Sequence, residues 1–177
     1  MGGALSASTL SVMLNSCNDA PEKGKGTLFT ADEQETVAGM ANVIIPRTDT
    51  PGAVDAGVPA FIVMMMQECY PQKDQDKFHS GLAAFNQWCN DTYGKAFSEL
   101  SEEQKELAVT KLDKAVLGKE ELKEGEDFSF YRKLKELTLL GFFTSKPGAT
   151  ETLRYVQIPG KYDGCVPYHK GDKAWAT

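Results

Sequence analysis

Apolar residues recur every three to four positions along most of the chain, from Thr27 to Thr144. This spacing is typical of α-helices, and no stretch alternates polar and apolar residues over the length of a strand. The pattern therefore predicts an all-α bundle of about five helices. The first helix follows Thr30 and ends at Pro46, and the others cover residues 60–70, 75–93, 101–117 and 128–142.

Local signals mark several of these helix ends. Thr30–Glu33 reads TADE and Ser101–Gln104 reads SEEQ, and both fit a capping box, in which a hydroxyl and a Glu or Gln side chain satisfy free N–H groups. Pro46 ends the first helix because proline has no backbone N–H. Pro59 suits the first turn of the second helix.

The helical period also predicts which side chains face the core. In the first helix these are Val37, Met40, Ala41 and Ile44, and in the third Phe78, Leu82, Phe85 and Cys89, widened by Trp88. The fourth helix has Leu107, Ala108, Lys111, Leu112 and Ala115 along one side, and the fifth has Tyr131, Leu134, Leu137 and Thr138. The second helix contains FIVMMM, which is apolar nearly all round and predicts burial on most sides.

The character of the sequence changes after Thr144. Residues 144–177 are rich in Gly, Pro and Tyr, which predicts an extended C-terminal segment. A disordered segment rarely keeps so many large apolar groups, so we expect this one to be ordered. Its aromatic residues either pack back onto the bundle or are held out for a partner.

Composition excludes several classes of function. The net charge of −6 and the scattered basic residues argue against binding to nucleic acid. The four cysteines form no C-x-x-C pair, and two distant histidines do not predict a metal site. Neither a dinucleotide-binding nor a hydrolase motif occurs. The sequence therefore predicts no catalytic, cofactor-binding or metal-binding residue.

The N-terminal segment predicts export. Residues 4–14 are uncharged and have the length of a secretory apolar region, and they lead into Leu14-Asn15-Ser16-Cys17, which resembles a bacterial lipobox. We expect Cys17 to be lipidated and the protein to be a periplasmic, membrane-anchored lipoprotein. The predicted organisation is an export signal over residues 1–17, a polar tether over 18–27 and one helical domain with its tail over 28–177.

Three further interpretations concern this segment. A positive n-region is missing, which indicates a start further upstream or a trimmed chain, and the serine-rich composition favours twin-arginine export. MGGALS also fits the myristoylation pattern but leaves the setting of Cys17 unexplained. The simplest alternative is a frayed tail or a first helix packed on the core.

The corner between the first two helices combines Arg47, Asp49, Pro51 and Gly52. As a structural corner, Pro51 and Gly52 reverse the chain, and Arg47 pairs with Asp49 or Asp55 or reaches a carbonyl group. As a docking surface, the same Arg47 would contact a carboxylate of a partner protein.

The remaining cysteines leave the disulfide state open. Cys69 and Cys89 lie on either side of a predicted turn, which separates them by roughly 20 Å along antiparallel helices. That distance is beyond disulfide reach. Cys165 pairs with one of them, or all three stay reduced.

Three stretches together resemble one protein family: IIPRTDTPGAVDAGV, FYRKLKELTLLGFFTS and LRYVQIPGKYDGC. They occur in the order found in the gluconate 2-dehydrogenase subunit 3 family, the small subunit of membrane-associated sugar dehydrogenases. The resemblance covers about residues 28–168. It implies an accessory subunit that helps a larger flavoprotein to fold, to be exported or to remain stable.

The resemblance also implies the partners. The large subunit is a flavoprotein of the glucose-methanol-choline type that holds FAD, and a cytochrome c subunit with haem c commonly takes the electrons; this chain itself holds no cofactor.

The tail is the stronger candidate for docking, because its Pro-Gly segments make it rigid and its aromatic groups supply contact area. The docking candidates in the tail are Tyr155, Pro159, Gly160, Tyr162 and Cys165.

A second interpretation is a stand-alone sugar-binding or enzymatic periplasmic lipoprotein. It predicts a concave pocket lined by Trp88, Trp175 or tyrosines, with polar groups converging on it.

Overall fold

The predicted all-α fold is confirmed by the structure, a computed structural model that describes residues 29–116, 129–158, 160–161 and 163–176. Within these residues the α-helices are α1 (Ala31–Ile44), α2 (Val58–Cys69), α3 (Gln72–Tyr93), α4 (Glu102–Val116) and α5 (Ser129–Thr144). A 3-10 turn at Phe97–Glu99 and a π-helical turn at Gly148–Thr152 accompany them. The predicted polar loop after α4 lies outside the described residues.

Helix α1 begins and ends where the sequence predicts. The Thr30 hydroxyl accepts a hydrogen bond from the Glu33 amide at 3.2 Å, and the Glu33 carboxylate accepts one from the Thr30 amide at 2.8 Å. These two bonds satisfy amides that have no partner within the helix. The last helical bond before Pro46 runs from the Ile45 amide to the Ala41 carbonyl at 3.0 Å.

Glu33 also joins α1 to α3. Its second carboxylate oxygen lies 2.8 Å from His79 Nδ1, and the His79 ring packs at a tilt against Phe29 with the ring centroids 4.5 Å apart. One side chain therefore caps a helix and holds the neighbouring helix in place.

Aromatic rings fill the centre of the bundle. Phe78 and Phe85 of α3 both contact Phe130 of α5, with centroid distances of 6.0 and 6.3 Å. Phe85 also lies 5.2 Å from Phe97, and Phe29 lies 5.9 Å from Phe78. The predicted inward positions of α3 and α5 are buried, except for Trp88, which is half-buried. This confirms the helical phase of both elements.

Two sequence expectations about helix faces were wrong. Helix α2 buries only Val58, Ile62 and Met66, and Met64 is 49% exposed, because its neighbours cover one side and leave the other at the surface. On α4, Leu107 is 63% exposed and Lys111 is also exposed, while Ala108 and Leu112 face the core together with Val109. The inward stripe of α4 is therefore narrower than predicted and includes Val109.

Candidate partner interface

The corner between α1 and α2 is held by one carboxylate. Asp55 accepts hydrogen bonds from Arg47 Nε and from the Gly52 amide, both at 2.8 Å, and Arg47 Nη2 contacts its other oxygen. These hydrogen bonds hold the pKa of Asp55 below its ordinary value and raise that of Arg47. The sequence left Asp49, Asp55 or a carbonyl group as possible partners of Arg47, and in the structure Arg47 pairs with Asp55.

Gly52 is needed here because the chain doubles back on itself. A Cβ atom at this position would lie 2.6 Å from the Arg47 nitrogen and 2.9 Å from the Pro46 carbonyl carbon. The next residue closes the corner, since the Ala53 amide donates to the Ile45 carbonyl at 2.8 Å. The corner is a tightly built structural element, which favours the structural interpretation of Arg47.

The other corner candidates have separate roles. Asp49 accepts a hydrogen bond from the Thr48 hydroxyl at 3.0 Å and faces the surface, and Pro51 is half-buried beside Gly52. The Arg47 side chain is 72% exposed although it is paired, so its outer edge stays accessible to another molecule.

The C-terminal segment forms a loop whose two ends meet. The Arg154 amide donates to the Ala174 carbonyl at 2.8 Å, and the Ala176 amide donates to the Arg154 carbonyl at 3.1 Å. The Arg154 guanidinium stacks over the Trp175 ring at 4.1 Å, a cation–π contact. We call the described part of residues 154–176 the arm.

The arm holds its apolar groups out instead of packing them on the bundle. Ile158 is 81% exposed and Tyr168 is 76% exposed. Tyr155, Val156 and Val166 are also exposed, as are the docking candidates Gly160 and Cys165. Pro159 and Tyr162, the other two tail candidates, lie outside the described residues. The sequence left open whether the aromatic groups of the tail pack onto the bundle or point away from it, and in the structure they point away.

The end of α5 adds a second apolar surface that sequence reasoning missed. Leu139, Leu140 and Phe143 are all exposed, on the side of α5 opposite its core positions. Helix α5 leads through the π-helical turn directly into the arm. The signal was present in the sequence, since these three residues fall outside the inward stripe that begins at Tyr131 and Leu134.

A groove of about 620 Å³ runs between α1 and α2. Its apolar lining consists of Ala38, Pro59, Ala60, Val63 and Met64, and its polar lining consists of two glutamines and two glutamates. The outward apolar face of α2, which was expected to be buried, forms one wall of this groove.

The side chains that could bind a ligand or take part in a reaction make other contacts in this structure. Trp88 stacks on Phe85 and lies under the Lys111 ammonium at 4.7 Å. In the described part of the chain no three His, Cys, Asp or Glu side chains gather closely enough to hold a metal ion. Cys69, Cys89 and Cys165 are not joined by disulfides, and burial raises the pKa of Cys89 to about 12.

The predicted lipidation site, Cys17, and the export signal lie outside the described residues. Within those that are described, none of the helices has the length and apolarity needed to cross a membrane.

Fold and surface together define a small helical bundle that presents an apolar arm and apolar helix faces to solvent. The family model for gluconate 2-dehydrogenase subunit 3 matches residues 31–160 of the 177. The chain belongs to this family, as its corner, its α5 segment and its tail indicated. No curated protein and no solved structure matches it.

Proposed function

We propose that this chain is the non-catalytic small subunit of a bacterial flavin-dependent sugar dehydrogenase complex. In this role it assists the folding, export or stability of the large catalytic subunit. The observation that carries the proposal is the arm, which exposes large apolar side chains on a chain whose family is named for a dehydrogenase subunit.

The exposed apolar groups support an interface role on physical grounds. Soluble monomers rarely expose contiguous large apolar patches, and aromatic residues are common among the side chains that anchor protein interfaces. The arm supplies Tyr155, Ile158 and Tyr168, and the end of α5 adds Leu140 and Phe143. We infer that the catalytic subunit covers the arm and the end of α5 together.

The chemistry of the complex belongs to the partners in this proposal. The catalytic subunit is a flavoprotein of the glucose-methanol-choline type that holds FAD, and a cytochrome c subunit with haem c accepts the electrons. The small subunit contributes binding surface and an export address. We expect a large flavin-dependent oxidoreductase to be encoded beside it.

Localisation is part of the same proposal. Cys17 receives the lipid through its sulfur atom and anchors the chain at the periplasmic side of a membrane. Replacing Cys17 with serine tests this, because a serine oxygen cannot form the thioether. We expect the C17S chain to lose incorporated fatty acid and to move from the membrane fraction to the soluble fraction. A chain that stays lipid-free with Cys17 present argues against the anchor.

The alternative of a stand-alone sugar-binding protein receives less support. It predicted a pocket lined by Trp88, Trp175 or tyrosines, but Trp88 packs against Phe85 and Trp175 lies under Arg154. The groove between α1 and α2 contains no aromatic residue on which a sugar ring would stack.

Co-expression tests the accessory role. The catalytic subunit is produced with and without this chain, and its periplasmic yield and dehydrogenase activity are measured. We expect both to fall without the chain, and we expect the two proteins to purify together. An equal yield and activity in its absence would remove the proposal.

Matched substitutions locate the interface. Replacing Ile158 and Tyr168 together with serine removes two exposed anchors, each worth about 1–2 kcal/mol at a typical interface. Co-purification should weaken by about tenfold or more. The control is Leu107→Ser, which removes another exposed apolar side chain, this one from α4, and should leave co-purification unchanged. Equal effects from both changes would show that the arm has no special role.

A further inference from the structure

The groove between α1 and α2 has an acidic rim. Glu35 of α1 and Glu68 of α2 line it, and neither makes an ion pair within the described part of the chain. Its floor is apolar, with Ala60, Val63 and Met64 from α2. Such a surface is complementary to a segment that carries apolar side chains and positive charges.

The arm has this chemistry. It carries four basic residues and two acidic ones, whereas the whole chain has 19 basic and 25 acidic residues. The charged residues of the arm are Arg154, Lys161, Lys170 and Lys173, against Asp163 and Asp172. Ile158 and Tyr168, its most exposed apolar groups, belong to the same segment as Lys161 and Lys170.

The arm does not fill the groove of its own molecule. Met64 in the groove and Ile158 in the arm are both exposed, so neither surface covers the other. The base of the arm is fixed at Arg154 by its backbone bonds to Ala174 and Ala176. A second molecule can therefore offer an arm to the groove while its own bundle stays intact.

We propose that the free chain associates with a second copy of itself by placing the arm of one molecule in the α1–α2 groove of the other. The exchange is reciprocal, so each dimer contains two such contacts and closes on a two-fold axis. Lys161 and Lys170 of the arm face Glu35 and Glu68 of the groove.

The contact is small, which makes the dimer weak and reversible. Each groove has a volume of only about 620 Å³, and interfaces of low area support transient association. Part of the attraction is between exposed charges, so added salt weakens it. The arm is also the surface proposed to meet the catalytic subunit. Dimerisation would cover its apolar groups until that subunit competes for them.

Self-association is first measured on the isolated chain, without the catalytic subunit. The outcome is therefore independent of the proposed function. The full chain carries Cys17→Ser to prevent lipidation, and reducing agent excludes dimers linked by Cys69 or Cys165. We expect the mass measured by sedimentation to rise from monomer to dimer as concentration increases in the micromolar range. A chain that remains monomeric at high micromolar concentration overturns the proposal.

Two reversed chains are then compared. The groove variant carries Glu35→Lys and Glu68→Lys, and the arm variant carries Lys161→Glu and Lys170→Glu. Each alone places like charges together, so self-association should weaken by about tenfold or more. An equimolar mixture should recover dimers, because each variant arm then meets a groove of opposite charge.

The control variant carries Lys73→Glu and Lys95→Glu, two exposed lysines on the bundle. It has the same net charge as the arm variant and should dimerise like the parent chain. Circular dichroism confirms that all variants are folded. Dimers that persist in both reversed chains, or a mixture that stays monomeric, rule out the arm–groove contact and point to another surface.

Discussion

Arg47 and Asp55 hold the corner between α1 and α2, with Arg47 Nε 2.8 Å from the same carboxylate oxygen that accepts the Gly52 amide at 2.8 Å. One acidic side chain therefore fixes both an arginine and the backbone of the turn. Asp55→Asn keeps the size of the side chain but removes its charge and leaves one oxygen. We expect a lower melting temperature, measured by circular dichroism, and unchanged co-purification with the proposed catalytic subunit.

Asp49→Asn is the control for this change, since Asp49 is exposed and bonds only to Thr48 among its described neighbours. It should leave the melting temperature unchanged. Loss of co-purification in D55N at a temperature where the variant is fully folded would instead assign the corner to the interface.

Replacing Gly52 with alanine should destabilise the fold. The added Cβ would meet backbone atoms of Arg47 and Pro46 at 2.6 and 2.9 Å, and backbone cannot move aside as a flexible side chain can. Overpacking of this kind costs about 1–3 kcal/mol. Urea unfolding should show a lower midpoint with the same slope. Gly160→Ala is the control, because a Cβ there meets no atom within 4 Å, and an equal loss in both variants contradicts the steric explanation.

The pair of Glu33 and His79 should make stability depend on pH. Burial acts to raise the pKa of Glu33, but hydrogen bonds from His79 and Thr30 outweigh it, so the pKa lies below its ordinary value. A lowered folded-state pKa adds stability above the unfolded pKa, and this is lost as the pH falls through the folded value. Glu33→Gln should therefore cost about 1 kcal/mol at neutral pH, a typical value for a helix cap.

The difference between E33Q and the parent chain should shrink as the pH falls below the ordinary glutamate pKa of about 4.3 and through the lowered folded-state pKa, because the parent glutamate then also becomes protonated. Urea midpoints measured at several pH values check this. Glu35→Gln is the matched control, since Glu35 lies in the same helix, is exposed and makes no ion pair within the described region. A loss in E33Q that stays constant across the acidic range would contradict the assignment.

The three described cysteines should differ in reactivity. Cys69 and Cys165 are exposed, whereas Cys89 is buried and its pKa is raised to about 12. Since the thiolate is the reactive form, Cys89 has roughly a thousandfold less of it at mildly alkaline pH than an ordinary cysteine. In a C17S chain, a thiol reagent should label two groups quickly and the third only after unfolding. Rapid labelling of Cys89 in the folded chain would show that α3 opens readily.

Much of the fold was predictable because local chemistry and tertiary structure agree. The capping box at Thr30 and the helix end at Pro46 depend on neighbouring residues alone. The stripe from Phe78 to Cys89 follows the helical period, and a helix packed along one side buries that stripe. These features need no knowledge of the rest of the chain.

Other features depended on what each helix meets. The apolar composition of α2 did not reveal that its neighbours leave Met64 uncovered, because composition does not show how much of a helix surface other elements will cover. The choice of Asp55 over Asp49 as the partner of Arg47 follows from the close turn at Gly52, which brings residues eight positions apart together. Whether Ile158 packs inward or outward depends in the same way on tertiary structure, that is, on whether the bundle offers an apolar surface within its reach.

The meeting of Arg154 and Trp175 at the base of the arm has a consequence for how the arm is ordered. A free chain end loses more conformational entropy on binding than a loop whose two ends are already joined, and the entropy of a closed loop changes slowly with its length. Each doubling of loop length costs only about 0.6 kcal/mol. Extra residues inserted between the two ends would therefore add little to the entropy that the arm loses on binding. Separating Arg154 from Trp175 would add much more, because the segment would then behave as a free chain end.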